Sequence, residues 1–150
     1  GTFKGVKRRF TYHIKTDDFV FIDDYAHHPT EINAVFQAVS EMHSNKKTTV
    51  LFQPHLFSRT KDFASDFAES LSKFDNILLL DIYPAREKPI TGVNSDWLLG
   101  MVKNPNKKKI SKENIVPELK AQNPEVLITM GAGDIGLEIS KIKNAFYHED

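Results

Sequence analysis

Two β-rich runs open the chain, Phe10 to Ile14 and Phe19 to Ile22, and the polar stretch Lys15-Thr16-Asp17-Asp18 between them suits a hairpin turn. A two-residue loop at Thr16 and Asp17 predicts Ile14 opposite Phe19, Tyr12 opposite Phe21 and Arg9 opposite Asp24. Directly opposed Cβ atoms lie about 5 Å apart, so the last pair would be within salt-bridge reach. After Pro29, residues Ile32, Val35, Phe36, Val39 and Met42 recur at helical spacing, an apolar stripe that runs out near Ser44-Asn45. Thr48 to Phe52 reads as a buried strand. Phe63, Phe67, Leu71 and Phe74, with Ala64 and Ala68, mark a second amphipathic helix, with Arg59 near its start, and Asn76 to Leu80 is another strand. The pattern loosens through Pro84, Pro89 and Gly92 and recovers as a short helix around Ser95 to Val102. The lysine-rich Lys103 to Lys109 then reads as a solvated loop. Ser111 can cap a helix through Lys120, Val126 to Met130 is a strand, and Ile135, Ile139, Ile142 and Phe146 outline a final helix.

Strands that alternate with helices argue for βαβ units. The expected fold is α/β, a Rossmann-like, mostly parallel sheet with helices on both faces and an N-terminal antiparallel hairpin. With no internal repeat and no linker, residues 1–150 are expected to form one domain.

Composition narrows the function classes. Twenty basic residues balance twenty acidic ones, so neither the positive field of a nucleic-acid binder nor a polybasic membrane anchor is present. Zero cysteines exclude disulfides and thiolate metal sites and fit a reducing, cytoplasmic setting. No apolar run reaches the 18 or so residues that span a bilayer. There is no signal peptide, and the opening, without Met, reads like a cut through a longer protein.

In an open parallel sheet, ligands bind beyond the carboxyl ends of the strands. The segments at those ends are Asp23-Asp24-Tyr25-Ala26-His27-His28-Pro29, Gln53-Pro54-His55-Leu56-Phe57-Ser58-Arg59-Thr60, Asp81-Ile82-Tyr83-Pro84-Ala85-Arg86 and Gly131-Ala132-Gly133-Asp134, and three of the six histidines fall in the first two. Each candidate has a bland alternative. Asp23 and Asp24 suit a turn that ends a strand and caps a helix. His27 and His28 with His55 and Asp24 lack any recognised zinc spacing, so no metal site is expected in this domain. Gly131, Gly133 and Asp134 suit either an anion-binding turn or a tight strand-to-helix turn with Asp134 as N-cap. Arg59 either pairs on the surface or clamps a carboxylate or phosphate in bidentate fashion. Serine and thiol hydrolase chemistry fail for want of a Gly-x-Ser-x-Gly elbow and of cysteine, and no P-loop exists to hold ATP.

Taken together and in order, Asp23-Asp24-Tyr25-Ala26-His27-His28-Pro29-Thr30-Glu31, Phe52-Gln53-Pro54-His55 with Ser58-Arg59-Thr60, Asp81-Ile82-Tyr83-Pro84-Ala85-Arg86-Glu87 and Met130-Gly131-Ala132-Gly133-Asp134-Ile135 resemble the carboxy-terminal domain of the Mur ligases. Gly5-Val6-Lys7-Arg8-Arg9-Phe10 is similar to the family's entry into that domain. The resemblance implies a bacterial enzyme of peptidoglycan precursor synthesis whose amino-terminal domain binds a UDP-sugar and whose central P-loop domain binds ATP, both absent from this chain, while the third domain admits the amino acid. ATP converts the carboxylate of UDP-N-acetylmuramic acid to an acyl phosphate, which the amine of L-alanine attacks. Mg2+ is held mainly by the phosphates and the central domain, so this domain alone is expected to bind neither ATP nor Mg2+ and to be inactive. By resemblance, Arg9 and Asp24 lie near the nucleotide, and Tyr25, His27, His55 and Arg59 face L-alanine. Arg59 then suits the carboxylate, and His27 is the candidate to orient or deprotonate the amine. Leu56 stands where many relatives carry a second arginine, so the carboxylate clamp is thinner or supplied differently. Partners are expected to be these small molecules and the missing domains, with no nucleic acid and no membrane. Two rivals are a muramyl-tripeptide recycling ligase, which usually shows Glu-Pro-Arg where this chain has Gln53-Pro54-His55, and a stand-alone dinucleotide-binding module built on Gly131 to Asp134.

Overall fold

The computed structural model describes residues 8–147, so Gly5 to Lys7 of the entry segment and His148 lie outside the described residues. Six strands, β1 (Thr11–Lys15), β2 (Val20–Asp24), β3 (Thr48–Phe52), β4 (Asn76–Leu79), β5 (Lys107–Lys109) and β6 (Val126–Met130), form one sheet in the order β1-β2-β6-β3-β4-β5. Only β1 runs antiparallel; every other neighbouring pair is parallel. Strands β3 and β6 sit at the centre and are buried along their whole length, which is why Thr48 to Phe52 and Val126 to Met130 read as near-continuous apolar runs rather than alternating ones.

Helices cover both faces. On one, α1 (Pro29–Met42), α3 (Ala64–Leu71) and α4 (Ser95–Met101) pack Ile32, Val35, Val39, Phe67, Leu71 and Leu98 on Val50, Phe52, Ile77 and Ile128. On the other, α5 (Ile115–Gln122) and α6 (Ile139–Phe146) bring Ile115, Leu119, Ile139 and Ile142 onto Phe21, Leu51, Leu78 and Leu127. The expected Rossmann-like sheet with two helical layers and an N-terminal hairpin is the architecture observed.

The hairpin register differs from expectation. Thr16 N–H donates to the Phe19 carbonyl at 2.9 Å, so the turn is centred on Asp17-Asp18, one residue later than expected. Lys15 therefore faces Val20 and Ile14 faces Phe21, and an irregularity at His13 shifts the ladder again so that Tyr12 faces Ile22 and Thr11 faces Asp23. A slip of this kind re-aims every side chain on the strand. The Arg9–Asp24 pairing is accordingly replaced by an Arg8–Asp23 pair, whereas Arg9 is exposed and carries no ion pair among the described residues.

Further differences are local. Lys107 to Lys109 form an edge strand instead of a loop. Their ammonium groups bind outward while the backbone pairs with β4: Lys107 Nζ donates to the Leu99 and Val102 carbonyls at the end of α4, Lys108 pairs with Glu118, and Lys109 with Asp81 and Asp96. The second helix is broken at Phe63 into α2 (Phe57–Asp62) and α3, which lets the Phe63 ring meet His28 edge-on at 4.9 Å and leaves Arg59 inside α2. Ser111 and Gly133 each precede a 3₁₀ turn, Lys112–Asn114 and Asp134–Glu138, without a side-chain cap bond, so Asp134 is not an N-cap. Met42, at the end of its stripe, is 61% exposed.

Candidate functional site

The parallel register sets the carboxyl ends of four strands level: Asp24 and Phe52 are each aligned with Met130, and Phe52 with Leu79. At about 4.8 Å per strand the four ends make a rim about 14 Å long, and all four chemically loaded loops leave from it. The chain departs from β3 toward one face and from β6 toward the other, the arrangement that opens a crevice in this fold class. Here the crevice is spanned by Gln53, buried to 2% exposure, whose Nε2 donates to Asp134 Oδ1 at 2.7 Å and whose Oε1 accepts from Ile135 N–H at 3.0 Å. The glycines of the turn serve that packing: a Cβ on Gly133 would lie 2.6 Å from Gln53 Oε1 and 2.6 Å from Tyr83 Cγ, and one on Gly131 2.9 Å from the Gln53 carbonyl. Burial opposes the charge of Asp134, but hydrogen bonds from Gln53 and Lys112 outweigh it and hold the carboxyl below its usual range. The side chain of Lys112 reaches the same carboxylate.

Beside this staple the aromatic and basic residues form one continuous surface. Tyr25, 42% exposed, meets His27 edge-on with ring centroids 5.3 Å apart; His27 meets His55 at 6.0 Å; and His55 stacks on Tyr83 at 5.6 Å with the planes only 12° apart. Arg59 Nη1 lies 3.0 Å from His55 Nδ1. Tyr25, His27, His55 and Arg59, expected together from the sequence, are thus linked from loop to loop.

Each is held from behind. Glu31, in the first turn of α1, accepts from the backbone N–H groups of His27 and His28, both at 3.0 Å, which closes the histidine loop onto the helix. His55 and Tyr83 form an isolated parallel bridge: Tyr83 N–H donates to the Pro54 carbonyl and Leu56 N–H to the Tyr83 carbonyl, each at 2.8 Å. Directly after it Leu56 takes φ 75°, a conformation L-residues rarely adopt, and starts α2, which aims Arg59 back at His55. Glu87 secures the same corner by accepting from Ser58 N–H at 3.0 Å and from the Ser58 hydroxyl, and these bonds hold its carboxyl below the usual range. Burial first, then the charges of Arg59 and His27, push the His55 ring below the ordinary histidine value, against a smaller opposing effect of Glu87.

At the outer end of the rim, buried Asp23 accepts a fork from Arg8, Nε to Oδ2 at 2.8 Å and Nη2 to Oδ1 at 3.1 Å, and a bond from Thr129 Oγ1 at 2.7 Å. The same guanidinium lies 5.5 Å from the centroid of the Tyr25 ring. Asp24 instead accepts from the backbone N–H groups of Phe10 at 2.7 Å and Ala26 at 2.8 Å; burial, only partly offset by those bonds, raises its carboxyl. Sequence reasoning missed Arg8, because a one-residue slip decides which arginine turns inward. It also passed over Tyr83 and Gln53, although both belong to the loops it selected.

Among the described residues no three His, Asp or Glu side chains converge as a metal site, and no helix is long and apolar enough to cross a membrane.

The family model described as Mur ligase, glutamate ligase domain, matches residues 8–137. A protein of Christiangramia forsetii named UDP-N-acetylmuramate–L-alanine ligase is 62% identical over 148 residues, which are 99% of this chain and 33% of that protein, so the chain spans about a third of its relative's length. Two solved structures share the fold. A UDP-N-acetylmuramate–alanine ligase of Thermotoga maritima has TM-score 0.67 and 24% identity, covering 93% of this chain and 30% of its own. A domain described as coming from a UDP-N-acetylmuramate:L-alanyl-gamma-D-glutamyl-diaminopimelate ligase of Haemophilus ducreyi has TM-score 0.64 and 20% identity, covering 93% of this chain and 100% of its own. That solved chain consists of this fold alone. With the level rim, the filled glycine turn and the matched span pointing the same way, the chain belongs to the Mur ligase family, as a carboxy-terminal domain of that family.

Proposed function

We propose that this chain is the amino-acid-binding domain of an ATP-dependent ligase that joins L-alanine to the carboxylate of UDP-N-acetylmuramic acid, an early step in making the peptidoglycan precursor. The observation that carries the reading is the continuous surface of Tyr25, His27, His55 and Arg59, considered together with 62% identity to a ligase named for that reaction. The recycling alternative has weaker support, since the structure named for the tripeptide substrate is 20% identical.

Amide formation needs an anchored amino acid and an unprotonated amine. Arg59 supplies a planar donor fork for the carboxylate, and His27 stands one ring away to take the amine proton. Tyr25 walls the outer side. Exposed Arg9 and half-buried Asp24, beside the Arg8–Asp23 fork, face the neighbouring domain that carries the nucleotide. ATP and Mg2+ belong to that domain, because this chain has no P-loop. The turn of Gly131, Gly133 and Asp134 packs against Gln53 and Tyr83. A nucleotide sugar and ATP as co-substrates make the enzyme cytoplasmic.

The test is an assay of ADP release with Mg2+, ATP, UDP-N-acetylmuramate and single amino acids. The complete ligase is expected to respond to L-alanine and the 150-residue chain to show no turnover. Alanine-stimulated ADP release by the purified chain, or a complete enzyme indifferent to alanine, contradicts the proposal.

A further inference from the structure

Two imidazoles face one another in the site, and their other partners differ in kind. Arg59 Nη1 lies 3.0 Å from His55 Nδ1, and a guanidinium can only donate, so Nδ1 carries the lone pair and the hydrogen sits on Nε2. His27 Nδ1 lies 3.0 Å from the Tyr25 carbonyl oxygen, which can only accept, so there the hydrogen sits on Nδ1 and Nε2 carries the lone pair. Among the described residues neither Nε2 has a hydrogen-bond partner.

We infer that His27 and His55 are locked in opposite tautomers, so that His27 presents a proton-accepting Nε2 to the substrate amine and His55 presents an Nε2–H that joins Arg59 in gripping the carboxylate. The inference rests on the proposed function for the identity of the ligand but not for the tautomers.

The groups around each ring support the division. His55 is faced by Arg59 from α2, by His27 from the first loop, by Tyr83 stacked at 5.6 Å and, at longer range, by Glu87. Protonating it would set two donors and two positive charges head to head with Arg59, so it stays neutral. The stack on Tyr83 opposes the ring rotation that would put Cδ2 in place of Nδ1 against Arg59. His27 is faced by Tyr25, His28 and His55, and Glu31 Oε1 stands 3.6 Å from its Nδ1, so an imidazolium formed there by taking the amine proton meets a carboxylate. In that step the ammonium of alanine loses one proton to His27 Nε2, the freed lone pair attacks the acyl carbon, and the second N–H proton leaves with the phosphate as the acyl C–O bond breaks, so that the products are the amide, hydrogen phosphate and the His27 imidazolium.

The tautomers are read without substrate by long-range proton–nitrogen correlation spectra of the 15N-histidine-labelled chain above about pH 7.5, each ring being assigned from its His→Gln variant. The expected result is a hydrogen on Nδ1 of His27 and on Nε2 of His55; the same tautomer in both rings, or the reverse pair, overturns the inference whatever alanine does. Kinetics of the complete ligase then test the division of labour. His27→Gln is expected to lower kcat about a hundredfold or more, by far more than it raises the KM for alanine. His55→Ala is expected to raise that KM roughly tenfold, more than it lowers kcat, and His55→Gln, which restores a donor, to recover part of the loss. Opposite tautomers with no such kcat–KM split also overturn it, whereas an enzyme that uses a different amino acid with the split intact would correct only the proposed substrate.

Discussion

His55 shows how far one side chain is determined by its neighbours. Its ring is stacked, bridged through its backbone and faced by a cation, and the folded state resists protonating it. His13 and His43 are likewise lowered, both chiefly by burial. The unfolded rings protonate near the ordinary value of 6.5 while the folded ones do so only at lower pH, so this part of the stability is complete above that value and is lost as pH falls. Urea midpoints are therefore expected to hold from about pH 8 to about pH 7 and to drop as pH falls from about 6.5 to about 5, with a shallower drop in His55→Gln; a midpoint flat across the lower range would contradict the histidine balance. Gly133 is a second residue with a sharp expectation. A methyl group there collides with Gln53 and Tyr83 at 2.6 Å, so Gly133→Ala should lower unfolding free energy by about 1–3 kcal/mol. Denaturant titration checks it, and a neutral result would mean the turn is looser than described.

At the scale of elements, the long amphipathic segments were legible and the short polar ones were not. Ile32, Val35 and Val39, and likewise Phe67 and Leu71, advertise a helix because burial against the sheet repeats with the helix period. The buried strands β3, β4 and β6 are runs of β-branched and leucine residues with nowhere else to go. Strand β5 hides because three consecutive lysines bury no side-chain pattern; it exists through backbone pairing with β4 and through what its ammonium groups reach. Lysines on an edge strand also discourage pairing with another sheet. Lys107 caps the Leu99 and Val102 carbonyls at the carboxyl end of α4, so Lys107→Ala is expected to cost about 1 kcal/mol, measurable as a lower thermal midpoint, and no change would reduce that cap to a surface contact. The hairpin register was unreadable for a related reason. Phe10, Tyr12, Ile14, Phe19 and Phe21 fit more than one alignment, and the displaced turn together with the irregularity at His13 decides between Arg8 and Arg9 as the partner of an aspartate.

For the molecule as a whole, the candidate site was visible where loops leave a parallel sheet at one level, because the strand ends alone bring distant segments together. Tyr25, His27, His55 and Arg59 come from two loops separated in the sheet by β6, yet their rings form a chain of contacts. The supporting residues Gln53, Tyr83, Glu31 and Glu87 carry no signature of their own and emerge only from the packing. The chain spans about a third of its relative's length, and the proposed function places the nucleotide and the sugar substrate on other domains. The most direct measurement is the pair of Michaelis constants of the complete ligase with Arg59→Ala. The KM for alanine is expected to rise roughly ten- to a hundredfold, the worth of a charge-assisted hydrogen bond, with the KM for ATP changed far less. Equal effects on both substrates would contradict an alanine carboxylate held at Arg59.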